Sequence, residues 1–341
     1  MHKIAIVILN WNGKDFLEKY LPGVIKFSMM EGVKVVVADN GSTDESLSYL
    51  SGNHPTVEII QFDRNYGFAL GYNLALSRIQ AEYFILLNSD VEVSDGWLRP
   101  LLETMDADPL VAVCMPKIKD IQKPDFFEYA GAAGGFIDKY GYAFCQGRIF
   151  DSLEHDYNQY NKEREIFWAT GACLMVRGPL YKIAGGFDPA FFAHMEEIDL
   201  CWRFKNRGYK IMYNPDSVVY HVGGGTLPQG NPFKTYLNFR NNLFVLLKNL
   251  PPEKTSRILL IRILMDYLSA VRFLLQGSFR DISAIIKAHF AFYKGIKYCR
   301  EFRNKEVKFI TSYSHREIYD GSIVFQYFAK KKYTFISLKW L

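Results

Sequence analysis

Tyr83-Phe84-Ile85-Leu86-Leu87-Asn88-Ser89-Asp90 is the stretch that decides how this chain is read. Five apolar residues run without interruption into three polar ones. That is the pattern of a buried strand delivering a polar tripeptide to its C-terminal end. In open α/β sheets, ligands bind at that edge. A carboxylate held there can bind a divalent metal through oxygen, and such a metal can hold a diphosphate. A strand that ends in Asp is also how an ordinary turn or cap is built, so the neighbouring segments have to decide.

Working outward, residues 4–9, 33–38 and 57–62 are three more β-rich runs. The intervening residues 15–27, 45–50 and 71–79 have helical character; in the first, Phe16, Leu17, Tyr20, Leu21 and Val24 fall on one side. Strands separated by helices predict a parallel, doubly wound sheet. Each strand ends in a polar cluster: Asn10-Trp11-Asn12, then Asp39-Asn40-Gly41-Ser42, then the run from Asn65 through Gly67 to Asn73, then Asn88-Ser89-Asp90. Any one could be a turn or helix cap. Four in succession predict a shared pocket, in which amides and carboxylates read a base edge and glycines let the backbone approach a ribose or phosphate. Residues 110–165 lack a clear period; 131–135 read as a loop and 150–164 as a polar, mobile stretch. Regularity returns at 167–176, in a helix at 196–208 that stops at a glycine, and in short strand-like pieces at 210–213 and 218–221. Gly223-Gly224-Gly225 reads as a flexible loop.

The 341 residues are 49% hydrophobic and 23% charged, a globular composition large enough for one big domain or two modest ones. The five cysteines form no CxxC pair and read as reduced thiols in a cytosolic compartment. The N-terminal apolar run is too short for a signal peptide, and no stretch is apolar enough for a transmembrane helix. Charge is uneven: residues 232–341 carry 20 Lys/Arg against 7 Asp/Glu, the rest 21 against 29. The expected division is therefore a domain over 1–231 and a basic, amphipathic helical region over 232–341, with helices at 236–250, 257–275 and 281–298. Those helices suit an anionic membrane surface, or else a helical bundle packed on the first domain. Nucleic acid is not expected as a partner, because the basic residues lie among apolar stripes and form no exposed basic groove.

Taken in order, V-I-L-N-W-N-G, V-V-V-A-D-N-G-S-T-D-E-S, N-Y-G-F-A-L-G-Y-N, Y-F-I-L-L-N-S-D, A-T-G-A-C-L-M-V-R, G-G-F-D-P-A-F-F-A-H-M-E-E-I-D-L-C-W-R and Y-H-V-G-G-G-T cover about residues 4–245. With these motifs the sequence resembles the family 2 glycosyltransferases, inverting enzymes of the GT-A fold, and within them the bacterial rhamnosyltransferase-like branch. The resemblance implies that Asn88-Ser89-Asp90 stands where the family's DxD element does. Asp90 would bind Mg²⁺ or Mn²⁺ bridging a donor diphosphate, with His221 as a second ligand. Asp39 would contact the donor base, with Asn10 and Asn12 lining that pocket, and Asn65, Gly67, Asn73, Ser89 and Gly171 bounding the donor. Trp168 could stack on a sugar face or equally be a core tryptophan. Arg240 and Asn241 match a helical "RN" pair with a role near the diphosphate or a lipid headgroup. The implied donor is a dTDP-, UDP- or GDP-linked sugar, rhamnose first. The implied acceptor is a glycan or lipid-linked glycan at the inner face of the cytoplasmic membrane.

Such a reaction needs positive charge on the departing diphosphate and a carboxylate base on the opposite side of the anomeric carbon. Glu196-Glu197-Ile198-Asp199 supplies the base candidates. On a helix, Glu196 and Asp199 share a face and Glu197 points about 100° away. The family pattern Glu-Asp-x-Asp places the base at the second position, here Glu197, with Glu196 next and Asp199 either structural, paired with Arg203 one turn on, or binding acceptor. Acidic residues also favour helix N-termini for electrostatic reasons alone. Two rivals are weighed. A sugar nucleotidyltransferase would need a glycine-rich basic loop where this chain has Asn10-Trp11-Asn12-Gly13. A catalytically inactive homologue that binds nucleotide or membrane would explain Glu197 in place of the usual aspartate.

Overall fold

A computed structural model describes residues 2–223 and 230–340. The remaining glycines of the expected loop, Gly224 and Gly225, lie outside the described residues. The N-terminal half alternates as its pattern predicts: β1 (His2–Asn10), α1 (Lys14–Phe27), β2 (Val33–Asp39), α2 (Ser46–Asn53), β3 (Glu58–Gln61), α3 (Gly67–Ser77), β4 (Ala81–Asn88), the short β5 (Val91–Val93) and α4 (Leu98–Ala107). Next come β6 (Val111–Asp120), the small strands β7 (Gly135–Asp138), β8 (Ala143–Cys145), β9 (Arg148–Ile149) and β10 (Ser152–Leu153), then β11 (Arg164–Ile166), β12 (Cys173–Arg177), α5 (Gly178–Ile183), α6 (Glu196–Asn206) and β13 (Lys210–His221). Three long helices follow, α7 (Pro232–Asn249), α8 (Pro252–Leu275) and α9 (Phe279–Glu306), and a last strand, β14 (Ile318–Tyr319).

The main sheet runs β11-β13-β6-β12-β4-β1-β2-β3, with β5 on β13. Strands β1, β2, β3 and β4 are mutually parallel, whereas β12 enters antiparallel between β4 and β6. The sheet is therefore mixed, as the resemblance implied. Ile4 to Ile8 are buried on both faces, as expected for a strand covered by helices above and below. The parallel register sets Asn10 beside Asp39 and Leu9 beside Asn88, so three strand ends open on one edge.

β6 was not expected, and the reason is Pro116 with Lys117 in the middle of an otherwise apolar run. Proline removes a ladder donor and normally marks an edge or bulge. Here it faces Asn214, where the pairing of β13 shifts register between Asn214 and Val218, and this irregularity absorbs the missing N–H. The two short pieces expected at 210–213 and 218–221 are one strand for the same reason. Within 167–176 only β12 is strand. The stretch 150–164 is not loose: buried Lys117 pairs with Asp156 at 3.1 Å and bonds to Asn161, and Tyr160 donates to Glu154 at 2.8 Å.

The expected boundary at 231/232 is not a packing boundary. Leu243, Val245 and Leu246 of α7 belong to the same apolar core as the sheet. A second sheet, β10-β9-β8-β7-β14, is completed by the distant β14, and Phe335 and Trp340 pack on Phe136 and Phe144. Residues 300–340, which had no sequence reading, thus cover this sheet. Helix α8 docks through Arg262, which stacks on Tyr142 at 3.6 Å and bonds Asp266 at 3.0 Å. All five cysteines are buried and free. Among the described residues no helix is long and apolar enough to cross a membrane.

Candidate active site

Asn10 and Asp39 form one buried pair at adjacent strand ends. The Asn10 amide donates to Asp39 at 3.1 Å and to Ser42 at 3.2 Å, while the Ser42 N–H donates to the other Asp39 oxygen at 2.9 Å. Asn10 Oδ1 is buried without a partner. Asn12, at φ 50°, clamps the two loops by accepting from the Thr43 N–H at 2.7 Å. Asn40, missed by the sequence reading although it sits inside a quoted motif, links this pair to the next loop: it donates to Asn65 at 3.1 Å and accepts from the Tyr66 N–H at 3.0 Å. Asn65 in turn accepts from the Gly67 N–H at 2.7 Å.

Two donor-side residues are corrected. Gly67 does have the left-handed backbone expected of a close approach (φ 75°), but a Cβ there would meet the Phe192 ring at 2.6 Å and the Phe192 carbonyl at 2.9 Å. Phe192, not a ribose, fills that place, and its carbonyl accepts from the Phe68 and Ala69 N–H groups at the start of α3. Asn73 is a brace: it donates to the Phe187 carbonyl at 2.7 Å and accepts from Tyr181 at 2.7 Å and the Phe187 N–H at 3.0 Å. Ser89 is half-buried beside Gly13.

Beyond β4, Asp90 meets His221 from the end of β13, with Oδ1 and Nε2 3.1 Å apart. The other ring nitrogen faces Glu128 at 3.3 Å, an electrostatic contact only. Glu128 lies in the stretch that lacked any period, so no sequence signal marked it. Burial disfavours the charged imidazole, but the Asp90 and Glu128 carboxylates outweigh it and push His221 up to about 10. Two ligands about 2.1 Å from one ion at a right angle stand about 3 Å apart, so Asp90 and His221 fit a divalent cation, with Glu128 orienting the ring from behind. Among the described residues no three His, Cys, Asp or Glu side chains surround one point. A cation held here would take its remaining ligands from substrate or water, the usual case for Mg²⁺.

The acidic run begins α6. It follows three non-glycine residues with left-handed backbone, Phe192 (φ 65°), His194 (φ 66°) and Met195 (φ 74°). Such residues each cost on the order of 1–3 kcal/mol and persist only where the surroundings impose them. Asn241 imposes them: its amide meets the carbonyls of Phe191, Ala193 and His194 at 3.1, 2.9 and 2.8 Å, and Arg240 meets those of Ala190 and Phe191. The "RN" pair is therefore a loop clamp and not a headgroup site. Asn241→Ala is expected to lower stability by about 1–3 kcal/mol and to reduce turnover by freeing the Glu197 backbone. Chemical denaturation and initial rates on the purified variant check both.

Glu196 is 3% exposed, and burial together with the Glu197 and Asp199 charges raises its pKa well above the usual range. Glu197 is half-buried at the pocket edge, and its Oε2 has no partner. Burial pushes it up to about 7, opposed by backbone hydrogen bonds that include Gly171. Gly171 is next to Ala172, whose carbonyl accepts from the Asn88 N–H at 3.0 Å. The end of β4 and the Glu197 carboxylate are thus brought to one place. A Cβ on Gly171 would approach Phe68 at 2.8 Å, so the position must stay small. Lys234, in the first turn of α7, joins the two halves: its charge acts on His194 on one side and feels Glu128 on the other. The sequence reading missed it.

Two acceptor-side residues are corrected. Trp168 is 3% exposed, lies flat on Gly135 and donates to the Phe136 carbonyl at 2.9 Å, so it is a core residue and no sugar platform. Asp199 is fully buried and saturated by Arg203, Lys248 and Asn249, each at 2.9 Å.

The mixed sheet, with polar strand ends converging on one edge, has the GT-A fold. Residues 5–180 match the family described as Glycosyl transferase family 2; this is more than half of the chain, and the chain belongs to that family. It is 25% identical over 236 residues, 64% of this chain and 75% of the relative, to the N-acetylglucosaminyl-diphospho-decaprenol L-rhamnosyltransferase of Mycobacterium tuberculosis. Its fold is that of GalNAc-T7 crystallised with UDP, GalNAc and Mn²⁺ (TM-score 0.60, 18% identity), covering 90% of this chain and 57% of that one, so the chain spans little more than half of that structure. S. aureus TarS 1-349 in complex with UDP-GlcNAc is also similar, with TM-score 0.55, 16% identity and 89% of each chain covered.

Proposed function

We propose that this enzyme inverts the anomeric centre of a sugar, rhamnose by preference, in transferring it from a nucleoside diphosphate to a hydroxyl of a lipid-linked glycan at the inner face of the cytoplasmic membrane. One observation carries the reading: a half-buried carboxylate with a raised pKa, Glu197, whose Oε2 has no partner, stands beside the strand end that leads to the Asp90–His221 pair. Glu197 takes the proton from the acceptor hydroxyl. Asp90 and His221 would hold Mg²⁺ or Mn²⁺, whose chemistry is to neutralise the diphosphate as it leaves. Lys234 adds positive charge on the same side. Asn10, Asp39, Asn40 and Asn65 form the polar wall on which the base would be read. A relative whose printed activity is rhamnosyl transfer to a diphospho-decaprenol supports the sugar and acceptor class. Among the described residues, α8 and α9 expose Leu264, Leu268, Val271, Leu275, Phe279 and Ile286 to solvent, and basic side chains flank them. That combination suits docking in a bilayer interface.

Calorimetry with dTDP, UDP and GDP, with and without Mn²⁺, tests the donor half. One base should bind in a metal-dependent way, and Asp90→Ala should weaken it roughly 10- to 100-fold. Failure of all three nucleotides to bind would overturn the reading.

A further inference from the structure

The first turns of α7 and the outer face of α9 enclose a groove of about 620 Å³. Its apolar walls are Phe233, Tyr236 and Phe290, and Arg280, Lys287 and Lys294 reach over it. Phe233 and Phe290 are 47% and 65% exposed, an unusual state for large apolar side chains. None of the three cations has a carboxylate within ion-pair distance among the described residues. The acid nearest in sequence, Asp281, is engaged by the Thr235 hydroxyl at 2.7 Å. Arg280, Lys287 and Lys294 follow one another at seven-residue intervals, about two helical turns each, and so lie on one face of α9. Unpaired cations beside exposed aromatic rings are complementary to a ligand with an anionic head and a hydrocarbon chain.

The groove also leads somewhere. Phe233 packs edge-on against Phe192 with ring centres 6.0 Å apart. Phe192 covers Gly67 and begins the left-handed segment that ends at Glu196 and Glu197. Phe290 belongs to the same helix as the exposed Phe279, Ile286 and Tyr293, so the groove is continuous with the surface read above as bilayer-facing.

We infer that the α7–α9 groove binds the prenyl diphosphate part of the acceptor, its diphosphate against the cationic row of Arg280, Lys287 and Lys294 and its first hydrocarbon units against the apolar walls of Phe233, Tyr236 and Phe290. This deepens the proposed function by naming the acceptor's anchor, and rests on it.

Farnesyl diphosphate is the probe, titrated calorimetrically into the full chain without detergent. It should bind at least about tenfold more tightly than inorganic diphosphate, and the double variant Lys287→Glu/Lys294→Glu should lose about tenfold or more. Both positions are exposed, and unchanged metal-dependent nucleotide binding by the variant shows that it is folded. Phe290→Ser should weaken farnesyl diphosphate but not inorganic diphosphate. Asp90→Ala should do the reverse of the lysine variant, losing nucleotide and keeping farnesyl diphosphate. Equal binding of inorganic diphosphate, indifference to the lysine reversal, or loss of farnesyl diphosphate in Asp90→Ala each overturns the groove assignment. Only failure of nucleotide binding bears on the proposed function, so the two can fail separately.

Discussion

Glu197→Gln is expected to cut kcat by roughly a hundred- to ten-thousandfold, the usual range for loss of a general base, with nucleotide binding unchanged. Glutamine keeps the size of the side chain but cannot take a proton. The wild-type pH profile should carry the same signature. Burial raises Glu197 to about 7, and a base works only when ionised. Log kcat/KM therefore climbs with pH below about 7 and levels off above it. In Glu197→Gln that limb disappears. Glu196→Gln should retain it, because Glu196 is buried away from the pocket edge. A Glu196 variant that is dead beside a Glu197 variant that is active would exchange the two roles. A wild type that binds nucleotide yet turns over no donor would favour the inactive homologue.

Lys248→Met should destabilise the fold by about 3–5 kcal/mol, the usual consequence of removing one partner from a buried ion pair. The Lys248 ammonium bridges Asp188 at 2.6 Å and Asp199 at 2.9 Å, and all three side chains are essentially inaccessible. Tyr298 from α9 donates to Asp188 at 2.6 Å, and Arg203 and Asn249 complete Asp199. Methionine would fill the volume and leave Asp188 with no cation. Burial alone would raise Asp199, but Lys248 and Arg203 hold it below the usual carboxylate range. Its stabilising contribution is thus present above the ordinary Asp pKa and is lost as the solution is acidified through the depressed value. Urea denaturation at pH 7 measures the effect, and adding Asp188→Asn should restore part of it. A loss below about 1 kcal/mol would mean that the network is not coupled as its geometry implies.

The parallel half of the sheet was legible because its strands are apolar runs with polar ends and its helices keep a 3.6-residue period. Pro116 hid β6, since its compensation lies in β13, roughly a hundred residues away in the chain. Asp90 and His221 were legible through the motif order, whereas Glu128 was not: nothing local distinguishes it from other acids in an irregular stretch. Trp168 and Asp199 were left between a site role and a core role for a common reason. An aromatic ring or carboxylate looks available in sequence until its partner is known, here Gly135 for one and Lys248 for the other. The basic C-terminal half misled at its start. Arg240 and Asn241 look like a headgroup or diphosphate site and Lys248 like surface charge, yet they point inward and hold the strained loop and the buried acids.

The five thiols give the molecule a built-in stopwatch. Cys114 and Cys173 lie in the central sheet, Cys145 in the small sheet, Cys201 on α6 and Cys299 on α9. Every one is shut away from solvent and held in its unreactive protonated form by burial. A thiol reagent can reach each only when its own element opens, so the order in which the five are labelled reads out the order in which the layers of this fold come apart.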